Sequence, residues 1–171
     1  LRMNLELAEY RGIAQRFDLV IANGRVMDPE SGLDAVRHVG IRAGVIEAVR
    51  ASPLDGVEVV DASGLVVAPG FINLHWHGTD PHSNYYEAMA GVTSTFELEI
   101  GVADVDRWYD ERAGRMPINY GAAIGHAPTR MAVMNDPGDF LPAGDAARKP
   151  ATDAELAEIE WRVERGLKRG A

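Results

Sequence analysis

The sequence predicts an α/β protein: β/α units on a parallel sheet, preceded by a small β-rich unit. Three observations predict it. Between residues 18 and 68, short apolar, β-branched runs alternate with Gly, Asn-Gly and Asp-Pro turn signals, and no helical stripe interrupts them. After Gly70 the strand-like runs Phe71–Leu74, Val92–Ile100 and Ile118–Ile124 alternate with helical segments, which is the rhythm of βαβ units. The first of those runs leads into His75-Trp76-His77. Residues two apart in extended chain share a face, so both imidazoles can aim at one point, as two ligands of one metal must. In a barrel of parallel strands that point lies near the C-terminal mouth, where such barrels keep their chemistry.

Composition bounds the possibilities. With 171 residues and 46% hydrophobic content, the chain has a real core and holds one ordinary domain, or a small domain plus part of a larger one. A formal net charge of −9 opposes a broad nucleic-acid footprint. It suits a cytoplasmic protein, with the periplasm as the alternative. The sequence has 0 cysteines, so disulfides, Cys-based zinc sites and a thiol nucleophile are excluded. Any metal falls to His, Asp, Glu or a modified Lys. No apolar run reaches membrane-spanning length.

Residues 1–17 are mixed and charged and are expected to be an N-terminal arm. Residues 18–68 form the β-rich unit. It begins with a strand over Asp18–Ala22, an Asn23-Gly24 hairpin turn and a second run, Arg25–Met27. After the turn cluster Asp28-Pro29-Glu30-Ser31-Gly32, strands follow at His38–Arg42, Val45–Val49, Val57–Asp61 and Leu65–Val67. Residues 69–171 carry the β/α units, with helices over Asn84–Ala90 and Asp104–Ala113. Met134–Pro150 is a Gly/Pro/Asp-rich surface loop. The last segment is the clearest helix. Thr152 and Glu155 make a capping box, Leu156, Ile159, Val163 and Leu167 an apolar stripe, and Gly170 a C-cap.

Two motifs in order carry a family resemblance. Ala68-Pro69-Gly70-Phe71-Ile72-Asn73-Leu74-His75-Trp76-His77 is followed by Gly91-Val92-Thr93-Ser94-Thr95, and the pair resembles the amidohydrolase superfamily. Gly125-His126-Ala127-Pro128-Thr129-Arg130-Met131-Ala132-Val133-Met134, with the helix from Ala151 after it, is similar to the N-acyl-D-amino-acid deacylase (D-aminoacylase) branch. The likeness runs from about residue 18 to the end and covers about the first third of a typical member. It implies the first β/α units of a metal-dependent (β/α)8 barrel, preceded by part of a small β-sandwich domain. It also implies one or two divalent metal ions, usually zinc, and a metal-activated water that attacks an amide or ester carbonyl. The proton-shuttling Asp and two further histidine ligands of the family belong to later strands, outside this chain. Three β/α units cannot close a barrel, so the remainder is expected as another segment or chain, in an oligomer.

Deacylases tend to have a Cys ligand after the second motif, where this sequence reads Phe96-Glu97-Leu98-Glu99-Ile100-Gly101. Glu97 and Glu99 share a face, and a carboxylate is a competent zinc ligand. The metal candidates are therefore His75, His77, Glu99 and Glu97, with Glu99 preferred because it lies nearer the strand's C-terminal end. The bland alternative for the two glutamates is a solvated strand face. His126 is a candidate substrate contact and Arg130 a candidate carboxylate clamp, against hydrogen-bonded packing and a local salt bridge respectively. Trp76 and Trp108-Tyr109 are expected to pack, and His82 to sit in a loop.

The expected activity is metal-dependent hydrolysis of a linear amide, a small molecule of the N-acyl-D-amino-acid or dipeptide type. One alternative is a cyclic-amide hydrolase of the dihydroorotase or hydantoinase type. Those use a carboxylated Lys on a later strand, and Lys149 and Lys168 both fall outside the strands. Another is a non-catalytic subunit that keeps only part of the fold.

Overall fold

The computed structural model describes residues 16–78 and 81–171. The expected arm therefore lies outside the described residues except at its end, where Phe17 already opens the first strand. The chain divides into two compact units, one ending at Pro69 and one beginning at Gly70.

The N-terminal unit is a mixed five-stranded sheet: β1 (Phe17–Asp28), β2 (Leu33–Arg42), β3 (Val45–Arg50), β4 (Gly56–Asp61) and β5 (Val66–Val67). The order is β3-β2-β1-β4, with β5 also on β1. β2 runs antiparallel to β1 and β3, while β4 and β5 run parallel to β1. Among the described residues the unit is a single sheet, so the second layer of a sandwich is not among them.

Asn23-Gly24 is not a hairpin turn. β1 continues through it, and the pairs Ile21↔Val39 and Gly24↔Arg37 leave one extra residue on β1. That is a β-bulge, with Asn23 at φ 63. The side chain explains why the strand kinks without reversing: Asn23 Nδ2 donates to Asp61 Oδ1 at 2.9 Å, tying the bulge to the end of β4. The reversal comes at the next turn cluster, where Asp28 accepts from the Glu30 N–H (3.1 Å) and the Ser31 hydroxyl (2.5 Å). The core of this unit is small-chained, with Val20, Ala22, Val26, Val39, Ala48 and Ala62 buried.

The C-terminal unit alternates strand and helix. It contains β6 (Phe71–Asn73), α1 (Pro81–Met89), β7 (Val92–Val102), α2 (Val105–Asp110), β8 (Asn119–Ile124), α3 (His126–Val133), α4 (Asp145–Arg148) and α5 (Asp153–Lys168). β6, β7 and β8 are parallel neighbours in that order, as βαβ crossovers require. α3 is a helix that the sequence pattern did not announce. Pro128 stands in its first turn, where a missing N–H costs no intrahelical bond. The expected loop over Met134–Pro150 contains the short helix α4.

α5 starts as expected. Thr152 accepts from the Glu155 N–H, and Glu155 accepts from the Thr152 N–H, a complete capping box. Its buried side differs from the expected stripe. Ile159 and Gly166 are buried, whereas Leu156 and Leu167 are 47% and 59% exposed. Gly166 sets this geometry, because a Cβ there would lie 2.6 Å from the Ile124 Cβ. The helix approaches β8 at a residue without a side chain.

Candidate metal centre

The site forms where β6 ends and β7 bulges. After Asn73 the chain leaves the strand, so His75 and His77 follow β6 and are not part of it. Asn73 fixes that exit. Its Oδ1 accepts the His75 N–H at 3.1 Å, and its Nδ2 donates to Glu87 of α1 at 3.1 Å. The Trp76 N–H donates to the Phe96 carbonyl at 3.1 Å, which keeps the segment against β7. Trp76 points away from the histidines, and its Nε1–H donates to the buried Asn84 at 3.3 Å.

On β7 the pairing with β8 jumps from Glu97↔Ala122 to Val102↔Ile124, five steps on one strand against two on the other. The three extra residues bulge out of the ladder. Gly101 closes the bulge at φ 73, and a Cβ there would meet Gly125 N and Ala123 O at 2.7 Å. Only glycine fits that backbone and that gap.

The bulge separates the two glutamates. Glu97 turns back into the protein, where its Oε1 accepts the N–H groups of Ile100 and Gly101 at 3.2 and 3.1 Å. Its Oε2 accepts from His77 Nδ1–H at 2.5 Å. Glu99 faces outward, with its Oε2 2.9 Å from both His75 Nε2 and His77 Nε2. Ligand atoms of His75, His77 and Glu99 all lie within 4.8 Å of one another. Two imidazole nitrogens and one carboxylate are a donor set that suits zinc, with the second ring nitrogen of His77 fixed by a carboxylate, as metal-binding histidines usually require. Hydrogen bonding to Glu97 raises the His77 pKa above its usual value. Partial burial opposes the rise and Glu99 adds to it.

Loop residues close one side of this cluster. The Phe140 ring meets His77 edge-on at 5.1 Å between centroids. Asp136 shapes the loop, its carboxylate accepting four backbone N–H bonds of 2.9 Å each, from Gly138, Ala143, Gly144 and Ala146. Arg130 helps to hold the same loop, donating from Nε to the Ala146 carbonyl at 2.8 Å and from Nη2 to the Lys149 carbonyl. His126 is exposed at the first position of α3 and makes no side-chain hydrogen bond or ion pair among the described residues. His82 is exposed in the first turn of α1. Sequence reasoning missed Asn73, which sat inside the strand pattern, and Phe140, which no periodicity marks. Among the described residues no helix is long and apolar enough to cross a membrane.

No family model matches the chain. The chain is 46% identical over 92 residues to a dihydroorotase of Streptococcus pneumoniae, a match over 50% of this chain and 22% of that protein. It is 33% identical over 119 residues to an allantoinase of Escherichia coli, over 60% of this chain and 26% of that protein. The chain thus spans about a quarter of the length of these relatives. Solved structures extend the likeness. An N-acyl-D-glutamate deacylase from Bordetella bronchiseptica, in complex with zinc and a phosphonate inhibitor that mimics the tetrahedral intermediate, matches with a TM-score of 0.73 at 24% identity, over 90% of this chain and 36% of that one. A D-aminoacylase described as defining a novel subset of amidohydrolases matches with a TM-score of 0.70 at 23% identity, over 89% of this chain and 36% of that one. In fold, the chain resembles the corresponding part of these deacylases over nine-tenths of its own length.

Proposed function

We propose that the chain is part of a metal-dependent hydrolase of linear amide bonds, acting on N-acyl-D-amino acids or related dipeptides. The observation that carries this is the convergence of His75, His77 and Glu99 at the C-terminal ends of parallel strands, with Glu97 behind His77. His75, His77 and Glu99 would hold one zinc ion, and Glu97 would orient His77. A second ion would share Glu99. Zinc in such a site supplies polarisation of a carbonyl and acidification of a water. The chain's own residues set the surroundings. Glu97 keeps the proton of His77 on Nδ1, so that Nε2 presents its lone pair. Phe140 packs edge-on against one side of the His77 ring. Arg130 serves the substrate indirectly, by holding the loop that carries Phe140, and His126 lies exposed at the start of the neighbouring helix. The proton shuttle and further ligands would come from the remainder of a barrel, as another segment or chain.

The fold match to two deacylases supports a linear substrate. A second activity is favoured by a specific observation, the 46% identity to a dihydroorotase, whose chemistry would be opening of a cyclic amide. One assay separates them. Zinc-loaded full-length protein is offered N-acetyl-D-amino acids, D-dipeptides, dihydroorotate and allantoin. Release of free D-amino acid, lost in Glu99→Gln, is the expected result. Turnover confined to the cyclic compounds would replace it with the second activity, and no turnover of either class would sink both.

A further inference from the structure

Arg112 is a nearly buried cation with little to balance it. The residue is 9% exposed, just past the end of α2. Its Nη1 donates to the Trp108 carbonyl at 2.9 Å, and its guanidinium carbon sits 4.2 Å from the centre of the Trp108 ring. Among the described residues the sole carboxylate within ion-pair distance of it is Glu111, at 3.7 Å and itself 52% exposed. An ion pair that long and that open contributes little. Nε and Nη2 have no hydrogen-bond partner among the described residues. Burial lowers the guanidinium pKa, yet arginine stays charged throughout the working range. Neither Nε nor Nη2 is among the buried polar atoms left without a partner, so this edge of an otherwise packed guanidinium reaches solvent and is open to a ligand.

Such a ligand has a place to sit. Arg112 lines a pocket of about 200 Å³ that also touches His77, Glu97, Trp108, Asp139 and Phe140. This is room for a carboxylate on a stem of a few carbons, since a water occupies about 30 Å³. The other acidic groups do not fill the role. Both Glu97 oxygens already accept hydrogen bonds, and Asp139 makes no ion pair with Arg112. Arg130, whose sequence position suggested the clamp, is tied to backbone carbonyls. We infer that Arg112 is the anion-recognition residue of the site, its free Nε and Nη2 edge taking the carboxylate of a substrate whose amide lies at the His75/His77/Glu99 cluster. Trp108 stacks behind the guanidinium and holds the fork in plane. The inference deepens the hydrolase proposal and rests on it for the identity of the substrate.

The test compares N-acetyl-D-alanine with its uncharged carboxamide. Binding is followed by ¹H–¹⁵N NMR titration on metal-free full-length protein, so that no cation competes for the anion. The wild type is expected to bind the carboxylate about 10- to 100-fold more tightly than the carboxamide, the worth of a charge-assisted pair. In Arg112→Gln that preference falls below about twofold, while binding of the carboxamide is unchanged. In Asp139→Asn, an exposed loop position that leaves the core intact, the preference grows, because the competing charge in the pocket is gone. Equal binding of the two probes by the wild type overturns the inference, as does a preference that survives Arg112→Gln. Should Arg112→Gln fail to fold, an Asp139→Asn preference no larger than wild type also overturns it. Zinc-loaded protein that hydrolyses the substrate without any charge preference keeps the hydrolase proposal and rejects Arg112. Charge preference without hydrolysis by the zinc-loaded protein does the reverse.

Discussion

Glu97 and Glu99 stand two residues apart and do different things. Strand parity places both on one face, and that much is legible in Phe96-Glu97-Leu98-Glu99. What parity cannot show is the bulge between them, which turns Glu97 toward backbone N–H donors and His77 Nδ1 and leaves Glu99 facing the two Nε2 atoms. The difference is measurable. Glu97→Gln keeps the shape and a donor-acceptor pair but loses the charge that orients His77, so zinc affinity should fall about 10- to 100-fold. Glu99→Ala removes a ligand and should cost more than that. Competition with a chromophoric chelator reads both variants. An equal loss in the two would mean that the glutamates share the metal and that the division of labour is wrong. Asn73 shows the same limit of sequence from the other side. It fits the strand pattern, and only its bonds to the His75 N–H and Glu87 reveal that it ends the strand.

The elements that position the site are secured by backbone devices that the hydrophobic pattern records poorly. Strand existence was readable because β-branched runs with period two are a strong signal. Asn23-Gly24 reads as a turn because a left-handed residue serves a bulge as well as a turn, and the tie from Asn23 to Asp61 decides which. Gly101 is the corresponding device in β7. Gly101→Ala should destabilise the protein by about 1–2 kcal/mol from the left-handed backbone alone. A steric penalty adds to this, because the Cβ would reach Gly125 N and Ala123 O. Chemical denaturation measures the loss. Zinc affinity should fall with it, because the bulge sets the separation of Glu97 from Glu99. Unchanged affinity in a folded Gly101→Ala protein would show that the bulge is not needed for the site.

The loop over His77 hangs on Asp136 in the same way. Burial works against ionisation of this carboxyl, but four backbone N–H donors outweigh it and hold its pKa below the ordinary carboxylate value. A depressed folded-state pKa means that the stabilisation is present above the unfolded value of about 3.9 and is lost as pH falls through the folded one. Limited proteolysis across the loop should therefore be slow at neutral pH and accelerate on acidification below about pH 4. Asp136→Asn should be cleaved readily at every pH. Cleavage that is independent of pH in the wild type would mean that other contacts hold the loop.

At the scale of the molecule, the two units differ in what holds them together. The N-terminal sheet buries small side chains and leaves Val57, Val59 and Ile46 at 72%, 56% and 63% exposure. The unit from Gly70 contains the whole ligand group. A ligand stabilises whatever binds it by mass action, and free zinc at 100 times its dissociation constant adds about 2.7 kcal/mol. That gain belongs to the unit whose ligands the ion joins. His75 and His77 lie beyond β6 and Glu99 in β7, so zinc cross-links the sheet that its fold already pairs. Hydrogen exchange should then slow across β6, β7 and the 75–101 segment when zinc is added, while β1, β2 and β3 exchange at their metal-free rates. Protection that rises equally in both units would mean that they unfold as one cooperative body. Protection in neither would remove the metal from His75, His77 and Glu99. The contrast between the two sheets thus tests the placement of the ion and the independence of the units in one measurement.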